Sequence, residues 1–161
     1  MALWQFKFQL VAASVAQAHD VEALYLHRDE ADSPKPQIVG LDREKLFARL
    51  TRLMPEKPAW CSDLRIWGEE NTNDVQIWFE GDAIGAIVVR LDMRNLSLAL
   101  VDGICAIARE HACVFIRGDG AVTRPTRNAL IKIADRSDAA RFVRDPKGFL
   151  EGPGPWDLEP N

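Results

Sequence analysis

DLRIWGEENTNDVQIWFEGDAIGAIVVRLD, residues 63–92, alternates apolar and polar side chains in three short runs. A period of two marks strands that bury one face. The runs cover 63–67, 75–80 and 84–92. The polar stretch 69–74 separates the first two, and Gly81-Asp82 turns the chain between the second and third, so the economical reading is an antiparallel three-strand meander. Within the runs, Leu64 and Ile66 share one face, and Arg65 and Trp67 the other. Val75, Ile77 and Phe79 oppose Gln76, Trp78 and Glu80; Ile87, Val89 and Leu91 oppose Ala86, Val88 and Arg90. Grouping the aliphatic sets together leaves a second face of Arg65, Trp67, Gln76, Trp78, Glu80, Val88 and Arg90, with the two tryptophans adjacent.

The flanks supply helices and further strands. Upstream, Asp42 is placed to cap a helix, with Leu41 and Leu46 at staple positions and an apolar stripe of Leu46, Phe47, Leu50, Leu53 and Met54 that must stop before Pro55. Downstream, Asn95 or Ser97 starts a helix carrying Leu98, Val101, Ile104, Cys105 and Ala108 as far as His111. Residues 113–116 form a short strand, and Arg117-Gly118-Asp119-Gly120 turns it into a small hairpin through Ala121-Val122-Thr123. Pro125 opens another helix, Ser137 caps a last short one, and Pro146 closes it. At the N-terminus, Trp4, Phe6, Phe8 and Leu10 alternate with Gln5, Lys7 and Gln9. That alternation predicts a strand over 4–11 rather than the apolar core of a secretory signal, although Ala16-Gln17-Ala18 imitates a cleavage site. Ser14 then caps a helix reaching about His27, and the proline-bearing stretch 28–40 is a loop. The expected fold is α+β: a mostly antiparallel sheet built on the meander, with helices packed on one face. It forms a single domain over 1–150, with residues 151–161 as an extended tail anchored by Trp156.

Composition narrows the function. A chain of 161 residues can bury roughly two-thirds of its unfolded surface without metals or disulfides. The formal charge of −4 argues against nucleic-acid backbone as partner and favours a basic one. No apolar run approaches the ~18–20 residues of a membrane span, and three cysteines, an odd number, suit reduced thiols in the cytoplasm. Catalytic patterns are missing. His19 and His27, eight apart, would diverge by about 80° on one helix and cannot share a zinc ion. Cys61, Cys105 and Cys113 have no C-x-x-C spacing, Gly118 and Gly120 make no phosphate loop, and no serine sits in a G-x-S-x-G elbow. Neither a cofactor nor a metal site is expected.

What stands out is the mixed face and the acidic loop beside it. Tryptophan and arginine are enriched in binding hot spots, and an acidic rim steers a basic partner. The candidate partner-binding residues are therefore Arg65, Trp67, Glu69, Glu70, Asp74, Gln76, Trp78, Glu80 and Arg90. The bland alternative is self-coverage, with the arginines stacked on the tryptophans or the tail folded over them; burial of both tryptophans in the main core would remove the surface altogether.

Trp67-Gly68-Glu69-Glu70, the meander, Val89-Arg90-Leu91-Asp92-Met93-Arg94 and Ala140-Arg141-Phe142-Val143-Arg144-Asp145-Pro146 together resemble small immunity proteins of bacterial polymorphic-toxin and contact-dependent-inhibition systems. The resemblance implies a non-catalytic cytoplasmic protein that neutralises a cognate toxin domain by covering a basic or catalytic surface. Two other uses stand beside it: a small-molecule-binding protein or minor enzyme with a pocket between sheet and helix near His111 or His19, and an accessory protein that forms a homodimer through the open sheet.

Overall fold

The structure is a computed structural model and describes residues 2–18 and 41–152. Readings that concern His19, His27, the 28–40 loop and the Trp156 tail fall outside those residues. The chain is α+β. Among the described residues, seven strands form one sheet in the order β2-β3-β4-β5-β1-β6-β7, every neighbouring pair antiparallel. The strands are β1 (Gln5–Ala12), β2 (Glu56–Lys57), β3 (Leu64–Gly68), β4 (Asp74–Glu80), β5 (Ala83–Asp92), β6 (Cys113–Arg117) and β7 (Val122–Thr123). The meander of β3, β4 and β5 and the β6–β7 hairpin form where the alternation placed them. The two-residue edge strand β2 was too short to carry a period.

The described helices are α1 (Ala13–Ala18), α2 (Arg43–Leu53), α3 (Leu98–Glu110), α4 (Arg127–Asp135), α5 (Asp138–Arg144) and α6 (Pro146–Glu151). Their starts follow capping chemistry. The side chains of Asp42, Ser97, Thr126 and Ser137 each accept the backbone N–H three residues on, satisfying a donor the helix cannot. Pro146 does not end the chain's helical part as expected. It occupies the first turn of α6, where its missing N–H costs nothing, and Asp145 caps that helix.

Helices α2 to α5 bury Leu46, Leu50, Val101, Ile104, Ala108, Leu130, Ala134 and Ala139 in one cluster with the sheet residues Phe6, Phe8, Leu10, Val75, Ile77, Ile87, Val89, Leu91 and Phe115. Helices on one face of the sheet are thus what the apolar stripes produce. Because β1 lies between β5 and β6 and runs opposite to both, those two strands run the same way, and α3 carries the chain across β1. Gly103 lets this helix approach α2: a Cβ there would meet Leu53 Cδ1 at 2.5 Å.

Register overturns the face assignment of β3. Strands β3 and β4 pair Leu64 with Trp78, Ile66 with Gln76 and Trp67 with Val75. Residues directly opposite in an antiparallel pair share a face. Arg65 and Trp67 therefore belong with Val75 and Ile77 on the helix side, while Leu64 and Ile66 lie with Gln76 and Trp78. The cause is the span of the β3–β4 loop, because shifting register by one residue exchanges every side chain between faces. Gly68 sets that span. It pairs with Asp74 at φ +91°, and a Cβ would stand 2.2 Å from the Asn73 carbonyl, so only glycine closes this turn. Nor is the far face wet, since Leu64, Ile66, Val88 and Ile116 are buried there beside Gln5, Asp74, Gln76 and Asp92.

Candidate protein-binding site

Trp67 is wholly buried in the helix-side core. Its ring stacks on Phe47 of α2 at 5.6 Å and its Nε1 donates to Thr51 Oγ1 at 3.1 Å. The Arg65 guanidinium lies over Phe47 and Trp67, 4.1 and 4.9 Å from their ring centres, and forms a two-pronged ion pair with Glu56 of β2. That pairing holds the Glu56 carboxyl below its ordinary value. Self-coverage is thus the outcome for Arg65 and Trp67: they seal an edge of the core and leave the candidate surface.

Asp74 and Gln76 leave it as well. Asp74 is fully buried at the start of β4, directly opposite Arg90 of β5. Its carboxylate accepts both guanidinium prongs of Arg90 and, at 3.1 Å, Gln76 Nε2. Hydrogen bonding to Asp74 raises the Arg90 pKa above its ordinary value, so this charge is permanent. Glu70 adds a looser contact to Arg90 at 3.7 Å. This buried cluster is internally satisfied and ties β4 to β5.

The acidic loop is built rather than loose. Gln5 Nε2 donates to the carbonyl oxygens of Glu70 and Thr72 at 2.9 and 2.7 Å, and Trp4 Nε1 donates to that of Asn71 at 3.1 Å. Arg94 stacks on Trp4 at 4.2 Å, reaches the same Asn71 carbonyl, and pairs with Asp92, holding that carboxyl below its ordinary value. Lys57 meets Glu69 at 2.7 Å. Lys57, Arg90 and Arg94 therefore stand against Glu69, Glu70, Asp74 and Asp92, and the field this end projects is much weaker than its carboxylates alone would give.

Trp78 remains. It sits on the far face opposite Ala86, where the small side chain of the neighbouring strand leaves room for an indole, and β4 bulges immediately after it. Glu80 is exposed two residues further on. The partner of Trp78 is Trp60, whose ring meets it edge-to-face at 5.4 Å and 65°. Trp60 is 67% exposed, and sequence reasoning passed over it. The available signal was its position: an indole in the loop after Pro58, outside any alternating run, has no strand face to bury it.

Chemically active groups are muted. Burial pushes the thiols of Cys105 and Cys113 up to about 11, so both stay protonated and poorly nucleophilic at neutral pH. His111 caps the C-terminal end of α3 with a buried, unpartnered Nε2, and burial lowers its pKa. Among the described residues no group of three His, Cys, Asp or Glu could hold a metal, and no helix is long and apolar enough to cross a membrane. No protein-family model, curated protein or solved structure matches the chain.

Proposed function

We propose that the chain is a non-catalytic protein-binding domain centred on the Trp60–Trp78 pair, acting as an immunity-type inhibitor of a bacterial toxin domain. One observation carries the reading: a solvent-facing indole packs edge-to-face on a second indole, which itself is seated on a sheet. Large exposed aromatic surface costs free energy in water. An indole already packed on another offers that surface to a partner, the pattern of an interface hot spot. Glu69, Glu70 and Glu80 supply a modest acidic rim suited to a basic partner, while Arg65, Trp67, Asp74, Gln76 and Arg90 hold the scaffold. Immunity itself rests on the sequence resemblance.

The test is titration against the variable C-terminal domain of a secreted protein encoded by the adjacent reading frame. Binding that falls at least about tenfold in Trp60→Ala and Trp78→Ala, with the fold intact, supports the reading. An adjacent frame with no such domain, or affinity untouched by both substitutions, overturns it.

A further inference from the structure

The positive charge of the chain is concentrated at one place. Residues 124–147 hold seven Lys and Arg against three Asp, a net of +4 in a chain whose total is −4. Structure places Arg127 and Lys132 on α4, Arg136 at its C-terminal cap, Arg141 and Arg144 on α5 and Lys147 in the first turn of α6, with Arg124 in the loop before α4. On α4, Leu130 and Ala134 face the core while Lys132 and Arg136, four residues apart, lie on its solvent side. Neither of these two side chains has an ion-pair or hydrogen-bond partner among the described residues. Arg144 of α5 donates to the Asp135 carbonyl at 2.6 Å and fastens the two helices together. Arg141 and Lys147 have solvent-exposed pairs, with Asp138 at 3.0 Å and Glu151 at 3.9 Å, which add little stability, and Arg127 is paired with Asp102 of α3, so Lys132 and Arg136 are the cations of this face without such a carboxylate among the described residues.

Beside the cations lies apolar surface. Helix α6 buries none of its residues. Phe149 packs edge-on against Phe142 at 5.7 Å with Arg141 over its ring, and the next residue, Leu150, is 66% exposed. Exposed Leu150 and half-exposed Phe149 thus lie beside Arg141 and Lys147, with Lys132 and Arg136 one helix away across α5, a combination that suits a ligand offering both apolar side chains and carboxylates. We propose that the α4–α6 face docks an acidic segment of a partner protein carrying bulky apolar residues. A nucleic-acid backbone offers no apolar groups to meet Leu150 and Phe149, and the acidic remainder of the chain repels it. This surface is separate from the Trp60–Trp78 pair: Ala139 of α5 belongs to the helix-side core, whereas Trp78 lies on the other face of the sheet. The two partners can therefore be held at once.

The experiment uses the full chain and fluorescence anisotropy with three labelled peptides: Asp and Glu alternating with Leu and Phe; the same acids alternating with Ser; and the same apolar residues alternating with Gln. Only the first is expected to bind. The double substitution Lys132→Glu and Arg136→Glu weakens that binding at least about tenfold, as does raising salt from about 0.05 to 0.5 M. Leu150→Ser weakens it about threefold or more, and Trp60→Ala leaves it unchanged. Lys132→Gln with Arg136→Gln repeats the test should charge reversal lower the melting temperature. Four results would each overturn the proposal: no binding of the first peptide, binding indifferent to the charge reversal, equal binding of the Ser peptide, or equally tight binding of duplex DNA. A dimer seen by light scattering and dissolved by the same reversal would also overturn it, by assigning the face to a second copy.

Discussion

Substituting Asp74 with Asn separates a residue that holds the fold from one that waits for a partner. Asp74 is fully buried and accepts three hydrogen bonds, two from Arg90 and one from Gln76. Asn keeps the shape and removes the charge. The Arg90 side chain, only 12% exposed, then keeps a neutral amide oxygen in place of the carboxylate and, as charged contact, Glu70, at 3.7 Å and itself 48% exposed. Removing one partner of a buried pair costs about 3–5 kcal/mol, and the residual Glu70 contact places this case near 3 kcal/mol. With an unfolding entropy of about 2.1 cal/mol/K per residue over 161 residues, that loss lowers Tm by about 9 °C. Urea titration followed by tryptophan fluorescence, with an unchanged m value, measures it directly. The double variant Asp74→Leu with Arg90→Met removes both charges and is expected to recover more than half of the loss. A single-variant loss under about 1 kcal/mol, or a double variant no better than the single, would refute the argument that an uncompensated buried charge sets the cost.

The two ends of the tryptophan series should differ sharply. Trp67→Ala costs about 3–5 kcal/mol in urea unfolding because it empties a core site, whereas Trp60→Ala changes stability by about 0.5 kcal/mol or less and lowers the iodide-quenchable fluorescence. His111 contributes a pH dependence of known sign. Burial, followed by the Lys45 charge, depresses its folded pKa below 6.5, so the unfolded chain binds the proton more readily. Stability is therefore lost as pH falls through 6.5 toward the folded value, and His111→Gln flattens the profile between about pH 7 and 5. The carboxyl of Glu56, depressed by Arg65, acts separately, losing its contribution only below its unfolded value of 4.5. Thiol titration at about pH 8 should label Cys61 rapidly in the native protein, and Cys105 and Cys113 only in denaturant, since burial holds both near 11. Rapid labelling of all three would contradict that burial.

Much of this protein was legible in its residues. Alternation located the strands of the meander, and the capping side chains Asp42, Ser97 and Ser137 marked helix starts, because both signals act between near neighbours in the chain. That Val75, Ile77 and Phe79 share the core side with Ile87, Val89 and Leu91 was also readable from the apolar pattern of β4 and β5. The face of Trp67 was not. Its own strand offers two usable sides, Leu64 and Ile66 or Arg65 and Trp67, and pattern alone prefers the purely aliphatic one. The tertiary structure reverses that preference, because Gly68 fixes the loop span and hence the register, and because α2 brings Phe47 and Thr51 to receive the indole. The same distance in sequence hid Trp60 behind Trp78 and Arg90 behind Asp74. Local sequence determined the elements and their order through short-range periodicity and capping; only long-range packing decided which face each strand presents, and so which tryptophan seals the core and which meets solvent.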